Sequence, residues 1–303
     1  MGSLGEKDKM MFLGIDGGGS KCRAILVDID GNTLGTGIGG PANPLHGFQK
    51  TLDSILDASH QALAQAGLNA SELNKVIAGV GLAGVNLPAL FQQMSEWPHP
   101  FAKMFLTTDL DIANVGAHGG EEGAVIIVGT GSCGFVSAEG QKTILGGHGF
   151  PIGDKASGAW MGLEAIKHTL LVLDGFEQSS HLSKEVANFF EVDNALSLSE
   201  MVAGRSSRQY AKLAKLVLSA ADEGDKIALS IVNEGITYIV QMSERLLEKK
   251  PTRICMIGGL APFILSRLPK KVRANFVDPK AQPEIGAILF AQQSWQSTHK
   301  ESA

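Results

Sequence analysis

Twice in this chain a short apolar run meets a glycine loop and resumes as a second apolar run. The first case is MMFLGI (10–15), DGGGSK (16–21) and CRAILVDI (22–29). The second is GAVIIV (123–128), GTGS (129–132) and CGFVSAEG (133–140). Short apolar runs bounded by glycine read as strands joined by tight loops. A third run comes next each time: TLGTGI after the Asp30-Gly31-Asn32 turn, and QKTILGG after the turn ending at Gly140. Each half therefore opens as a β-meander.

The segments after each meander also match in kind. Leu52, Ile55, Leu56 and Leu63 share one helical face from Phe48 on, and Gly67 can end that helix. KVIAGVGLAG (75–84) and KMFLTTD (103–109) read as strands, with a helix starting at IANVGAH behind the second. After the second meander a helix-rich stretch spans about 157–248. Its stripe of Ile227, Ile231, Tyr238, Met242 and Leu246 reads as core, not as a ligand box. TRICMIGG (252–259) is a late strand, ANFVDP (274–279) a shorter one, and 283–293 the final helix. The expectation is a degenerate structural duplication, with no literal repeat. Its two α/β domains would face a cleft into which both glycine loops point. The domains are expected over 10–117, with a C-terminal helix at about 284–296 packing back on it, and over 118–283. Residues 1–9 read as a loose tail.

Composition narrows the function classes. At 303 residues and a net charge of −5, the chain suits one or two domains and lacks a basic surface for nucleic acid. No apolar run approaches the roughly 18–20 residues that cross a bilayer. The opening MGSLGEKDKM has no apolar signal core. A cytoplasmic protein without membrane contact is expected. Cys22, Cys133 and Cys255 are scattered and lack metal-ligand spacing, so they read as small core residues in a reducing compartment.

The glycine loops suit phosphate. Glycine lets the backbone approach closely and reaches positive φ, so successive N–H groups can face an anion. DGGGSK adds a carboxylate before the turn and a hydroxyl and ammonium after it. GTGSCG (129–134) and the segment from Gly35 to Gly40 also match G-x-G-x-x-G. That fingerprint needs a strand before it and a helix after it. GTGSCG leads into FVSAEG, which reads as strand and turn, and both matches read as false. No GxxxxGK[ST] loop is present.

The ordered set DGGGSK, TTD (107–109), GTGS and IGG (257–259) resembles the actin, heat-shock-chaperone and hexokinase superfamily. Within it the chain resembles the N-acetylglucosamine and glucosamine kinases. Four further segments carry that likeness: PAN (41–43), LAG (82–84), TTD again, and GGHGFPIGDKASGAW (146–160). The likeness runs from about residue 10 to 293, and leans to the bacterial glucosamine kinases around GAHGGEEGA (116–124) and GTGSCG. It implies two ribonuclease H-like domains, each a βββαβαβα unit, around an ATP and sugar cleft. It also implies ATP-dependent phosphorylation of an amino sugar at its 6-hydroxyl. D-glucosamine is the expected acceptor and N-acetylglucosamine the alternative. ATP and Mg²⁺ are the implied cofactors, and a homodimer is an expected assembly.

The same resemblance assigns roles. Gly17, Gly18, Gly19, Ser20 and Lys21 form the first phosphate loop, with Asp16 near Mg²⁺. Gly129, Thr130 and Gly131 form the second, while Gly258 and Gly259 border the adenosine. Asn43, Ser132, His148, Asp154 and Gly158 match sugar positions, and Asp109 matches the catalytic base. The chain departs from relatives at Lys155 and Ala156, where an acidic residue or Gln followed by Gly is common. PANPLH also lacks the His-Trp that follows the Asn in animal relatives. Both departures touch the sugar pocket and leave the sugar's 2-substituent open.

Each residue has a plainer reading. Asp109 ends an apolar strand and opens a helix, so it suits a helix N-cap as well as a base. Asp111 fits an exposed first-turn acid. Asn43 and Asp154 are common turn residues. His148 could simply cap a turn. Trp160 reads as core, and Glu121-Glu122 as a solvated turn. Two other functions share the fold: an ATPase activator that feeds electrons to a dehydratase, and a non-enzymatic sugar sensor. The first calls for cysteines grouped on an iron–sulfur cluster, the second for an added helix-turn-helix.

Overall fold

A computed structural model describes residues 10–300, so the tail expected over 1–9 lies outside the described residues. The chain divides into two compact units, one up to Glu122 plus the segment from Pro279, the other Gly123–Asp278.

The first unit is built on a five-stranded sheet. Its strands are β1 (Met11–Gly17), β2 (Cys22–Val27), β3 (Thr33–Gly39), β4 (Val76–Leu82) and β5 (Lys103–Thr108), in the order β3-β2-β1-β4-β5. The β1, β4 and β5 strands run parallel, and β2 and β3 antiparallel. Every residue of β4 is buried, as befits a parallel strand covered on both faces. Its helices are α1 (Phe48–Gln65), α2 (Pro88–Ser95) and α3 (Asp109–His118). Gly67 ends α1 in the left-handed region at φ +73°, with Leu68 N–H donating to the Leu63 carbonyl at 2.9 Å.

The glycines of TLGTGIGG have a packing reason. On β3 the inward positions are Gly35, Gly37 and Gly39. A Cβ there would lie 2.1, 1.9 and 2.2 Å from the carbonyls of Ala62, Ala58 and Ser54, one turn apart along α1. These glycines seat a helix on a strand.

The second unit carries a four-stranded sheet. Its strands are β6 (Gly123–Val128), β7 (Ser132–Ala138), β8 (Gln141–Gly146) and β9 (Ile254–Ile257), in the order β8-β7-β6-β9. Between β8 and β9 come α4 (Gly158–Leu173), α5 (His181–Phe190), α6 (Ala195–Val202), α7 (Ser207–Ala211), α8 (Ala214–Asp222) and α9 (Lys226–Leu247). After β9 come α10 (Ala261–Arg267) and α11 (Lys270–Arg273). Ile231, Met242 and Leu246 of α9 are core, with Ile227 and Tyr238 packed beside it. Trp160 is buried with them, as expected.

The short strand expected over 274–279 does not form. Asn275 and Phe276 donate their N–H groups back to Val272 and Arg273, so their donors are spent in a turn. One parallel bridge between Phe276 and Ile254 is what remains. The two sheets are therefore unequal copies.

The last helix, α12 (Pro283–Lys300), is longer than the 283–293 expected and returns to the first unit. It lies on β1 and β4 through Gly14 and Gly79, where a Cβ would sit 1.9 and 2.0 Å from the carbonyls of Glu284 and Ala287. Gly79→Ala should therefore lower the melting temperature by about 5–10 °C, through the cost of forcing a methyl between strand and helix. Gly19→Ala, which meets nothing within 4 Å, should stay within about 2 °C. Thermal unfolding of both variants checks the pair.

Candidate active site

In the first unit, Asp16 is the penultimate residue of β1, and its parallel neighbours are Gly81 on β4 and, one strand further, Thr107 on β5. Asp16 and Asp109 thus sit at the carboxyl ends of parallel strands, the edge where α/β sheets place ligands. Gly18 N–H closes the loop on the Lys21 carbonyl at 3.0 Å, and Ala42 N–H donates to the Gly18 carbonyl at 2.9 Å. The loop glycines differ in purpose. Gly17 is packed, since a Cβ would lie 2.4 Å from Leu82. A Cβ on Gly18 would have its nearest contact at 3.8 Å, and one on Gly19 none within 4 Å. Neither these glycines nor Gly129 and Gly131 adopt positive φ. Gly18, Gly19 and Gly129 leave the chain bare and approachable without left-handed backbone. Lys21 is exposed and Ser20 partly so.

Asn43 is tied to this loop through its neighbour Ala42. Its Oδ1 accepts from Leu45 N–H at 2.9 Å, capping the turn over Pro44–His46. Gly84, at φ +86°, makes room for it, since a Cβ there would lie 2.4 Å from that Oδ1. The turn role expected of Asn43 is present, and the residue is half-buried beside the loop.

The N-cap of α3 is Thr108, and Asp109 is the first residue inside the helix. The N-cap reading of Asp109 is thereby corrected. Thr108 Oγ1 accepts from Asp111 N–H at 3.1 Å and donates to Asp111 Oδ2 at 2.8 Å. Thr107 Oγ1 donates to that same oxygen at 2.7 Å. Asp111 is thus half-buried under two hydroxyls, where an exposed acid was expected. With that side chain engaged, Asp109 is left at the strand end, its Oδ1 accepting from Leu110 N–H at 3.0 Å.

Asp16 and Asp109 each keep a little solvent contact, but protein surrounds both carboxylates on nearly every side. Burial, then the charges of Asp109 and Glu284, push Asp16 up to about 7, against the opposing pull of Arg23 and Lys21. Burial lifts Asp109 to about 6, opposed by backbone N–H groups including that of Leu110.

In the second unit the remaining predicted residues come together. The N-terminus of α4 is sewn to the loop: Gly158 N–H donates to the Gly129 carbonyl at 2.8 Å and Ala159 N–H to the Thr130 carbonyl at 3.2 Å. Gly258 and Gly259 pass beside Gly129, with Leu260 N–H on the Val128 carbonyl at 3.0 Å. Asp154 lies over Gly131, where a Cβ would be 2.8 Å from its Oδ2. Burial raises the Asp154 carboxyl, while N–H groups of Gly149 and Ser132 and the nearby His148 draw it down. Ser132 and Gly158, expected to border a sugar, are interior. Ser132 is 3 % exposed and donates its hydroxyl to the Lys155 carbonyl at 2.6 Å. A Cβ on Gly158 would lie 3.2 Å from Ala211.

Several residues of these sites escaped the sequence reading. The Thr108–Asp111 pair carries a capping-box signature that TDLD displays. Arg23 faces Asp16 across the β1–β2 hairpin, and its NH1 is 3.7 Å from Glu284 Oε1. Glu284, at the start of α12, left no local signal, because only the return of that helix brings it there. The same holds for Glu234, whose Oε1 is 2.7 Å from Lys155 Nζ.

The model of the BadF/BadG/BcrA/BcrD ATPase family matches residues 13–291. The glucosamine kinase GspK of Vibrio cholerae is 34% identical over 292 residues, covering 96% of this chain and 98% of that protein. An N-acetylmuramic acid/N-acetylglucosamine kinase of Clostridium acetobutylicum is 28% identical over 300 residues, 92% of this chain and 97% of that one. Among solved structures, a candidate N-acetylglucosamine kinase of Chromobacterium violaceum superposes with a TM-score of 0.87 at 32% identity, covering 93% of this chain and 99% of that one.

The raised proton affinity of Asp109 makes a signed prediction. A carboxyl lifted from 3.8 to about 6 on folding contributes stability below pH 3.8 that is lost as pH rises through 6. Asp109→Asn should therefore raise stability at pH 8, by on the order of 1–3 kcal/mol, and add little at pH 4. Thermal unfolding at both pH values, in EDTA, measures it.

Proposed function

Because this chain belongs to the BadF/BadG/BcrA/BcrD ATPase family, we propose that it is an ATP-dependent kinase of an amino sugar. D-glucosamine, phosphorylated at its 6-hydroxyl, is the first acceptor, after the Vibrio relative. N-acetylglucosamine is the second, favoured by the names of the Clostridium and Chromobacterium proteins. The observation that carries the reading is a carboxylate of raised proton affinity, Asp109, beside Asp16 at the strand ends that bear the Gly18–Gly19 loop.

The chemistry assigned to Asp109 is that of a general base. A base lifted to about 6 is ionised at neutral pH yet holds a proton better than an ordinary carboxylate. As the sugar oxygen bonds to the γ-phosphorus and the bond to ADP breaks, the hydroxyl proton passes to Asp109. The first turn of α3 holds the carboxylate in place and favours its negative charge. In the first unit, the bare amides of Gly18 and Gly19, with Lys21, are assigned to ATP phosphates. In the second, Gly129, Thr130 and Gly131 take the same task, and Gly258–Gly259 the adenosine side. Asn43, Asp154 and His148 are assigned to sugar hydroxyls. Ser132 and Gly158 serve as the frame behind them.

Magnesium fits Asp16. Its carboxylate lies among surplus negative charge from Asp109 and Glu284, which suits a hard divalent cation. Among the described residues no group of three or more His, Cys, Asp or Glu could hold a metal. One carboxylate, retained waters and ATP oxygens match the habits of Mg²⁺. Bound there, it would neutralise charge developing on the phosphates.

The ATPase-activator alternative lacks support from the cysteines. Cys22 is buried on β2 of the first sheet, Cys255 is buried on β9 of the second, and Cys133 stands across β6 on β7. Cys133 is half-buried, and scattered unpaired cysteines of this kind suit a reducing compartment, so we place the enzyme in the cytoplasm. Among the described residues no helix is long and apolar enough to cross a membrane.

Coupled ADP release with each amino sugar tests the activity, and background rates with both sugars would overturn it. Asp109→Asn should fold and lose about 10²–10⁴ of turnover. Turnover of the unaltered enzyme should climb between pH 5 and 7 along a limb near pH 6, as the base ionises.

A further inference from the structure

The turn that carries Asp154 is held in an unusual backbone state. Asp154 and Ala156 both lie in the left-handed region, at φ +61° and +71°. Side chains rarely adopt it, and it persists where the surroundings over-determine it. Lys155, between them, is pinned at both ends. Its carbonyl accepts from Ser132 Oγ at 2.6 Å. Its ammonium reaches across to α9, 2.7 Å from Glu234 Oε1 and 6.0 Å from the centre of the Trp160 ring. The next residue of α9, Gly235, receives Ala156: a Cβ on Gly235 would lie 3.3 Å from both Cα and Cβ of Ala156, which is wholly buried. Further along α9, burial and then the charge of Asp154 raise the Tyr238 hydroxyl, and a Cβ on Gly146 would lie 2.8 Å from that hydroxyl.

We propose that Glu234 is a positioning residue for the sugar acceptor. Through Lys155 it staples the left-handed turn to α9 and so keeps the Asp154 carboxylate over Gly131. The inference rests on the assignment of Asp154 to the sugar. It also gives the two departures at 155 and 156 one physical sense. A glycine at 156 would enter the left-handed region at no steric cost. With alanine there, the turn needs another restraint, and the Lys155–Glu234 pair supplies it. The pair is 41% and 56% exposed, so its worth is that of a surface ion pair, enough to shift a loop population but not to hold up a domain.

The test compares Glu234→Gln and Lys155→Met with the unaltered enzyme. D-glucosamine affinity by calorimetry and its KM should weaken about two- to five-fold, the population shift such a pair can produce. The KM for ATP and the melting temperature should hold. Adding Ala156→Gly to Glu234→Gln should restore the sugar KM, since glycine removes the need for the staple. Hydrogen exchange at the Ser157 and Gly158 amides should quicken in Glu234→Gln, with or without sugar. Unchanged exchange, an equal rise in the KM for ATP, or failure of Ala156→Gly to rescue would overturn the staple. An unaltered enzyme that binds neither amino sugar would instead overturn the acceptor assignment, and exchange would still decide the staple.

Discussion

The part of the candidate site in the first unit hangs on how closely helix backbones approach the first sheet. Gly14 and Gly79 let α12 rest its carbonyls against β1 and β4, and Gly35, Gly37 and Gly39 do the same for α1 on β3. A Cβ at any of these positions would lie 1.9–2.2 Å from a helix carbonyl and would force strand and helix apart. The end of β1, where Asp16 stands, and the start of α12, where Glu284 stands, are thereby fixed against each other. The site inherits its geometry from packing that has no chemistry of its own.

That packing concentrates charge. Asp16, Asp109 and Glu284 share one region with Arg23 and Lys21 as counterweights. Burial dominates, so both strand-end aspartates hold protons more tightly than free carboxylates. The arrangement is unfavourable to the folded protein by itself and useful for a cation and a transferable proton. In the second unit the strain is conformational: two left-handed non-glycine residues, Asp154 and Ala156, bracket Lys155.

Much of this is legible in the chain. The paired meanders, the β4 strand, the α3 start and the long stripe of α9 come from apolar period and glycine punctuation, which are local signals. The segment 274–279 misleads because its apolar residues resemble a strand, while its N–H groups are already spent in the turn after α11. Asp109 looks like a cap from its place in the chain, yet the cap is chosen by backbone conformation at Thr108. The loop glycines look alike in the chain, yet Gly17 is packed against Leu82 while Gly18 and Gly19 are bare, a difference set by neighbours in space.

The sequence by itself determined the strand-loop-strand repeats and the positions of Asp16 and Asp109 at strand ends, because each rests on residues near one another in the chain, and the resemblance to amino-sugar kinases, because it rests on the order of short motifs. Tertiary structure decided which residues stand beside them. Glu284 reaches Arg23 and Asp16 from the far end of the sequence, and Glu234 reaches Lys155 from α9. Proton affinity and backbone strain depend on neighbours in space and on exclusion of water, and no local pattern encodes either.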